Sequence, residues 1–324
     1  MHPSDLQRIA VIGAGTMGAG IAQRFAEAGH EVVLWSRSAA TLQRARERIA
    51  KNQALLIEGE LLTASVAQEA RARIRCTTDL QDVQGADFVS ENVVENADVK
   101  QDLFVALEGL VAEEVVLSSN TSGIPITTLQ AKCARPQRIV GMHWWNPPHL
   151  IPLVEVTKGA QTSDEVVQFA CAVCRHLGKR PVIVRRDVPG FIGNRLQFAV
   201  VRECLWLIEN GVATPEDVDA AMQFSYGFRL PVLGPLLSND LSGLDVILTI
   251  ADYLFPALSD AKEPSAMLQD LVAQGHYGAK TGKGWYEYPD DLAERLIVER
   301  DRQFLQLLKL NLGAMARAKE AMGQ

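Results

Sequence analysis

An apolar strand that runs straight into Gly-x-Gly-x-x-Gly constrains this chain more than any other feature. From Arg8 the sequence reads Ile-Ala-Val-Ile-Gly13-Ala-Gly15-Thr16-Met17-Gly18, then a helical apolar pattern. Glu31-Val-Val-Leu-Trp35 follows, a second strand ending 17 residues past Gly18. Strand, glycine turn, helix and second strand make a β-α-β unit suited to a dinucleotide. Gly13 allows the tight turn, Gly15 lets the backbone approach a pyrophosphate, and Gly18 lets the helix pack close to the strand. The phosphates are expected on unpaired N–H groups at the helix N-terminus, with Thr16 and Met17 inside the same turn.

The alternation continues. Ser38–Ala72 reads as a helix pair broken at Gly59, and strands follow at Ile74, Ala86–Val93 and Val115–Asn120 with helices between them. Two further strands, Arg138–His143 and Leu153–Thr157, flank Asn146-Pro147-Pro148, and Val182–Arg185 reads as a last short one. This order predicts an α/β fold, a Rossmann-type doubly wound and mostly parallel sheet, followed by an all-α second domain. The expected boundaries are 1–186 for the dinucleotide-binding domain with its helix-pair insertion, 187–288 for a helical substrate and dimerisation domain, and 289–324 for a C-terminal amphipathic helix. That helix carries apolar residues at 296, 297, 304, 307, 308, 312 and 315, a stripe suited to covering another subunit or the helical domain.

Composition excludes several classes of function. A net charge of −7 with no basic stripe argues against nucleic-acid and anionic-membrane partners. No apolar run is long enough for a membrane span, and a first strand beginning by Arg8 leaves no room for a signal peptide. Five cysteines suit a reducing, cytoplasmic compartment. Cys171 and Cys174 form a C-x-x-C, but they fall in a helical run with no second ligand pair, so no metal site is expected.

Among six histidines, His143 stands apart. It ends a strand, and Glu155 lies 12 positions later on the next one. An antiparallel return through the proline turn would set the carboxylate beside the imidazole, fix its tautomer and make the other nitrogen a general base. Alcohol oxidation by hydride loss needs such a base, because the hydroxyl proton must leave as the carbonyl forms. Ser119-Asn120-Thr121-Ser122-Gly123 follows a strand's carboxyl end, where open α/β sheets bind ligands. Its side chains suit a substrate oxygen or a nicotinamide ribose, and equally a turn that caps the next helix.

Taken in order, these motifs resemble the 3-hydroxyacyl-CoA dehydrogenase family. They are the Gly13–Gly18 fingerprint, Glu95-Asn-x-x-x-Lys100, Ser119–Ser122, Gly141-Met-His143-x-x-Asn146-Pro, Leu153-Val-Glu155-Val, Asp187–Asn194-Arg, Gly234-Pro235 with Gly243-Leu-Asp245, and Lys280-Thr-Gly-x-Gly-Trp285. The resemblance implies His143 as catalytic base, Glu155 as its partner, and Ser122 and Asn194 as holders of the substrate oxygen. It places Glu95, Lys100, Asn120, Asn146 and Lys280 around the cofactor, and it implies a homodimer formed through the helical domain. The sequence is nearer the family's small-substrate relatives, including L-gulonate 3-dehydrogenase with lambda-crystallin, L-carnitine dehydrogenase and a pyridine-carboxylate dehydrogenase of vitamin B6 breakdown.

Two positions depart from the family. Asn52 and Gly59 stand where acyl-CoA members align a serine and a lysine that meet CoA, and Ala54–Leu62 carries no cation for an anionic handle. Ser36, followed by Arg37 and Ser38, stands where an NAD-binding member carries Asp, which removes the charge that repels a 2′-phosphate. The resemblance favours NAD; the local chemistry favours NADP. The expected activity is hydride transfer between a nicotinamide cofactor and a small secondary alcohol of the 3-hydroxy acid type. The alternatives are an L-3-hydroxyacyl-CoA dehydrogenase and a non-catalytic dinucleotide-binding or structural protein.

Overall fold

The computed structural model describes residues 2–321, with side chains described through residue 310. The chain divides into two compact units. One runs to Arg195 and includes Phe304–Leu308; the other comprises Leu196–Gln303 and the residues from Lys309 onward.

The first unit is built on strands β1 (Arg8–Ile12), β2 (Glu31–Trp35), β3 (Ile74–Thr77), β4 (Phe88–Glu91), β5 (Val116–Ser119), β6 (Ile139–Trp144), β7 (Leu153–Thr157) and β8 (Arg180–Val184). They form one eight-stranded sheet in the order β3-β2-β1-β4-β5-β6-β7-β8. All neighbours are parallel except β6 and β7. The order reverses between β1 and β4, and an open α/β sheet forms its ligand crevice at that point.

Helices α1 (Thr16–Glu27), α2 (Ala39–Glu58), α3 (Ala64–Ala72), α4 (Ala97–Glu108), α5 (Ile126–Gln130) and α6 (Asp164–His176) complete this unit. Local chemistry starts several of them. Ser38, Thr63, Asn96 and Ser163 each accept a backbone N–H in the first turn of α2, α3, α4 and α6. Alternate residues of β1 feed two cores on opposite faces of the sheet. Ile9 and Val11 join Phe25, Phe88, Trp144 and Val154, while Ala10 and Ile12 join Phe104, Leu107 and Leu117. Cys171 and Cys174 are free thiols buried in the first of these cores, where burial pushes both thiol pKa values up.

Two boundaries differ from those expected. The last strand begins two residues earlier, at Arg180. The following helix, which the sequence pattern sets at Gly190–Asn210, is α7 (Gly193–Glu209); it starts later because Pro189 is followed by two positive-φ residues, Gly190 (+76°) and Phe191 (+50°), which turn the chain before it can coil. The second unit continues with α8 (Pro215–Phe224), α9 (Tyr226–Arg229), α10 (Pro235–Ser242), α11 (Leu244–Leu254) and α12 (Ala266–Ala273), and α13 (Leu292–Ala321) belongs to it except for Phe304–Leu308. The short helices α9 and α10 carry no periodic pattern that marks them in the sequence. Of the apolar stripe assigned to the C-terminal helix, positions 312 and 315 lie outside the described side chains, and residues 322–324 of the expected segment lie outside the described residues.

Candidate active site

At the carboxyl end of β1 the glycine turn is shaped by what each glycine faces. Gly13 has φ +103°, and a Cβ there would meet the Asn92 carbonyl oxygen at 2.5 Å. A Cβ on Gly18 would lie 1.8 Å from the Gly13 carbonyl oxygen. Both positions therefore demand glycine for packing. Gly15 differs: nothing lies within 4 Å of where a Cβ would sit, and it caps α1 without any side-chain hydrogen bond. An open approach to an uncapped helix N-terminus fits the phosphates of a dinucleotide.

From Thr16 and Met17 a cleft of about 460 Å³ runs past Asn92, Val93, Glu95, Asn120 and Ser122 to His143, Trp145 and Asn146. Its far end is the dyad. In the antiparallel β6–β7 pair, His143 is the register partner of Glu155. His143 Nδ1 lies 2.7 Å from Glu155 Oε2, and both side chains are buried. The second carboxylate oxygen accepts the backbone N–H groups of Ile192 and Gly193, each at 2.9 Å. Burial pushes the Glu155 carboxyl upward, but the bonds from His143, Gly193 and Ile192 outweigh it, so its pKa lies below the ordinary 4.5. An ionised carboxylate only accepts, so Nδ1 donates its hydrogen to Glu155 and Nε2 is the nitrogen left to exchange a proton with a ligand. The imidazole is held between Trp145 and Phe191, with ring centroids at 5.3 and 5.8 Å.

In the loop after β5, Ser119–Gly123, the residues make different contacts. Thr121 Oγ1 accepts the N–H groups of Gly123 and Ile124, forming the turn. Ser122 stays exposed on the cleft wall, its backbone N–H on Glu95 Oε1 at 2.9 Å and its carbonyl receiving Asn194 Nδ2 at 2.9 Å. Asn120 Oδ1 accepts the Trp144 N–H at 2.8 Å and so ties the loop to β6.

Lys100 lies beneath the cleft, not on its wall. It is 1% exposed, with its ammonium 2.7 Å from Glu91 and 3.5 Å from Glu95. Ser36 is buried at the end of β2 and Arg37 is exposed beside it. Lys280 is an exposed residue of the second unit.

Comparison with known proteins decides the family. The profile "3-hydroxyacyl-CoA dehydrogenase, NAD binding domain" matches residues 8–188, and the C-terminal domain profile of the same family matches 190–288. The chain belongs to the 3-hydroxyacyl-CoA dehydrogenase family. It is thus a nicotinamide-dependent oxidoreductase acting on CH–OH groups, with an NAD-type dinucleotide as its cofactor. It is 37% identical over 306 residues to 5-formyl-3-hydroxy-2-methylpyridine 4-carboxylate 5-dehydrogenase of Mesorhizobium japonicum, covering 94% of this chain and 98% of that one. It is 41% identical over 282 residues to a probable 3-hydroxybutyryl-CoA dehydrogenase of Deinococcus radiodurans, covering 87% of this chain and all of the other. A crystal structure of a 5-formyl-3-hydroxy-2-methylpyridine 4-carboxylic acid 5-dehydrogenase, described as an NAD+-dependent dismutase, superposes with a TM-score of 0.89 at 37% identity, over 95% of this chain and 99% of that one.

Sequence reasoning missed part of what shapes the dehydrogenase's cleft. Glu91 was unremarked, yet it anchors Lys100, the Ser119 hydroxyl and the Val93 N–H beneath the cleft floor. A buried acid at the carboxyl end of a short strand was the available signal. Phe191, Ile192 and Gly193 lie inside the Asp187–Asn194 motif, but nothing local shows that Phe191 packs on His143 or that the other two donate to Glu155 across 37 and 38 residues of chain.

Proposed function

We propose that the chain oxidises and re-forms a small secondary alcohol of the 3-hydroxy acid type, with His143 as the base. The observation that carries this reading is the buried His143–Glu155 pair at one end of a cleft that begins at the glycine turn. The Gly13–Gly18 turn would hold the pyrophosphate, with Glu95, Asn120 and Asn146 along the nicotinamide end. The bound cofactor supplies the hydride acceptor for the carbinol carbon. His143 Nε2 takes the hydroxyl proton while Glu155 keeps the ring oriented and offsets the imidazolium charge. The Ser122 hydroxyl, on a turn fixed by Thr121 and Asn194, would hold the substrate oxygen beside that nitrogen.

The reading makes CoA dispensable. Asn52 donates its amide to Gln23 at 3.0 Å, and Gly59 faces Leu305, whose Cδ1 is 2.9 Å from where a Cβ would sit. Neither position offers a cation to an anionic handle. For the cofactor, Ser36, Arg37 and Ser38 present hydroxyls and a guanidinium and no carboxylate at the end of β2, which favours NADP over NAD. One charge-assisted bond of about 1.5–3 kcal/mol amounts to roughly ten- to a hundredfold in affinity.

A homodimer in the cytoplasm completes the proposal. Helices α9 to α12 contain no buried residue, and Phe224, Phe228, Leu236, Leu241, Leu248 and Phe255 are each more than 60% exposed. So much exposed apolar surface suits a self-complementary interface. The test is nicotinamide absorbance with free 3-hydroxy acids, related small alcohols and hydroxyacyl-CoA esters, each with NAD and NADP. The free alcohols should give the higher kcat/KM. A strong preference for a CoA ester would restore the alternative, and no turnover on any of them would leave a dinucleotide-binding protein.

A further inference from the structure

Lys179 is a buried cation that none of the chemistry above employs. It sits in the turn between α6 and β8, is 7% exposed, and has no carboxylate within salt-bridge distance among the described residues. Its ammonium donates to the carbonyl oxygens of Pro148 at 2.6 Å and Ile151 at 2.7 Å, and lies 5.5 Å from the Trp144 ring centroid. Arg24 and Glu27, the charged groups of α1 nearest in influence, are paired with each other at 2.6 Å. Burial lowers the Lys179 pKa from 10.5 to about 7. An amine donates two hydrogens and an ammonium three, so both carbonyls are served in either state.

Burying such a group is costly unless it is well bonded, and the location of its two acceptors explains its presence. Pro148 and Ile151 belong to the loop that leaves His143, and that loop carries Trp145 and Asn146 on the cleft wall. Leu150 and Ile151 both donate their N–H groups to the Pro147 carbonyl, which makes the loop compact. The Pro148 ring also presses on α1 at Gly20, where a Cβ would lie 2.6 Å from Pro148 Cγ. The exit of the loop is fixed by the Arg180 N–H on the Pro152 carbonyl at 2.8 Å. The loop is thus held by α1, which starts at the glycine turn, through Pro148, and by the Lys179 side chain through two carbonyls.

We propose that Lys179 is a positioning residue, whose side chain sets the 146–151 loop so that Trp145 and Asn146 close the nicotinamide end of the cleft against His143. The inference rests on reading that cleft as the cofactor site. Lys179→Met keeps the chain length and packing but removes both hydrogen bonds. The folded variant should bind reduced cofactor about tenfold more weakly and lose roughly ten- to a hundredfold in kcat/KM, the scale of a misplaced wall. The pH profile of kcat should stay unchanged, because the dyad is intact. Wild-type cofactor affinity and kcat/KM in folded Lys179→Met would overturn the inference. If that variant does not fold, Lys179→Ala assayed with n-propylamine or n-propanol decides. Recovery with the amine alone supports positioning; no recovery, equal recovery with the alcohol, or failure of both variants to fold assigns Lys179 a purely structural role. Wild-type protein that binds neither NADH nor NADPH would instead remove the reading of the cleft itself.

Discussion

Two backbone N–H groups and one imidazole N–H converge on Glu155, and their convergence keeps a fully buried carboxylate ionised. Glu155→Gln should lower turnover strongly, because the Ile192 and Gly193 N–H groups hold its amide oxygen, the NH2 then faces Nδ1, and the ring proton is driven onto Nε2. Stability follows the same residue. Its folded carboxyl lies below the ordinary 4.5, so its contribution is present above that value and is lost as pH falls through the lowered one. Thermal midpoints of wild type and Glu155→Gln should therefore converge as the solution is acidified. A gap that widens on acidification would contradict this ionisation. The dyad was legible in the sequence because a 12-residue hairpin sets His143 and Glu155 in register. The groups that orient Glu155 were not, because contacts across 37 and 38 residues leave no local periodicity to read.

The glycine turn and the helix after it make the element-scale case. Gly15 has ordinary dihedrals (φ −68°, ψ −167°) and open space around it, so Gly15→Ala should leave the thermal midpoint nearly unchanged while weakening dinucleotide binding. Gly18→Ala places a methyl on the Gly13 carbonyl and should destabilise the fold by about 1–3 kcal/mol, the usual range for overpacking. Equal cofactor affinity in Gly15→Ala and wild type would argue against phosphate binding at this turn. At the end of β2, Ser36→Asp should move preference toward NAD, and titration of both reduced cofactors by fluorescence reads it directly. Tighter binding of NADH than NADPH by the wild type would contradict the NADP proposal. These elements were readable because strand, turn and helix are contiguous. Lys100 was not readable in the same way: its motif marked it for the cleft, yet its burial depends on Glu91 at the end of the preceding strand.

For the whole molecule, the sheet and its two cores followed from alternating apolar strands and helices. The arrangement within the helical unit was less legible, because its short helices leave much of their apolar surface exposed in the single chain. Light scattering should report a dimer, and Phe228→Glu with Leu236→Glu should shift it toward monomer if that surface forms the interface. A monomeric wild type would contradict the proposal. The activity assigned to the molecule rests finally on one imidazole, and His143→Gln tests it most directly. With a free secondary alcohol identified as substrate, the variant should bind reduced cofactor as wild type does and lose about 10²–10⁴ in kcat, the scale of general acid–base catalysis. Near-normal turnover in His143→Gln would contradict the account.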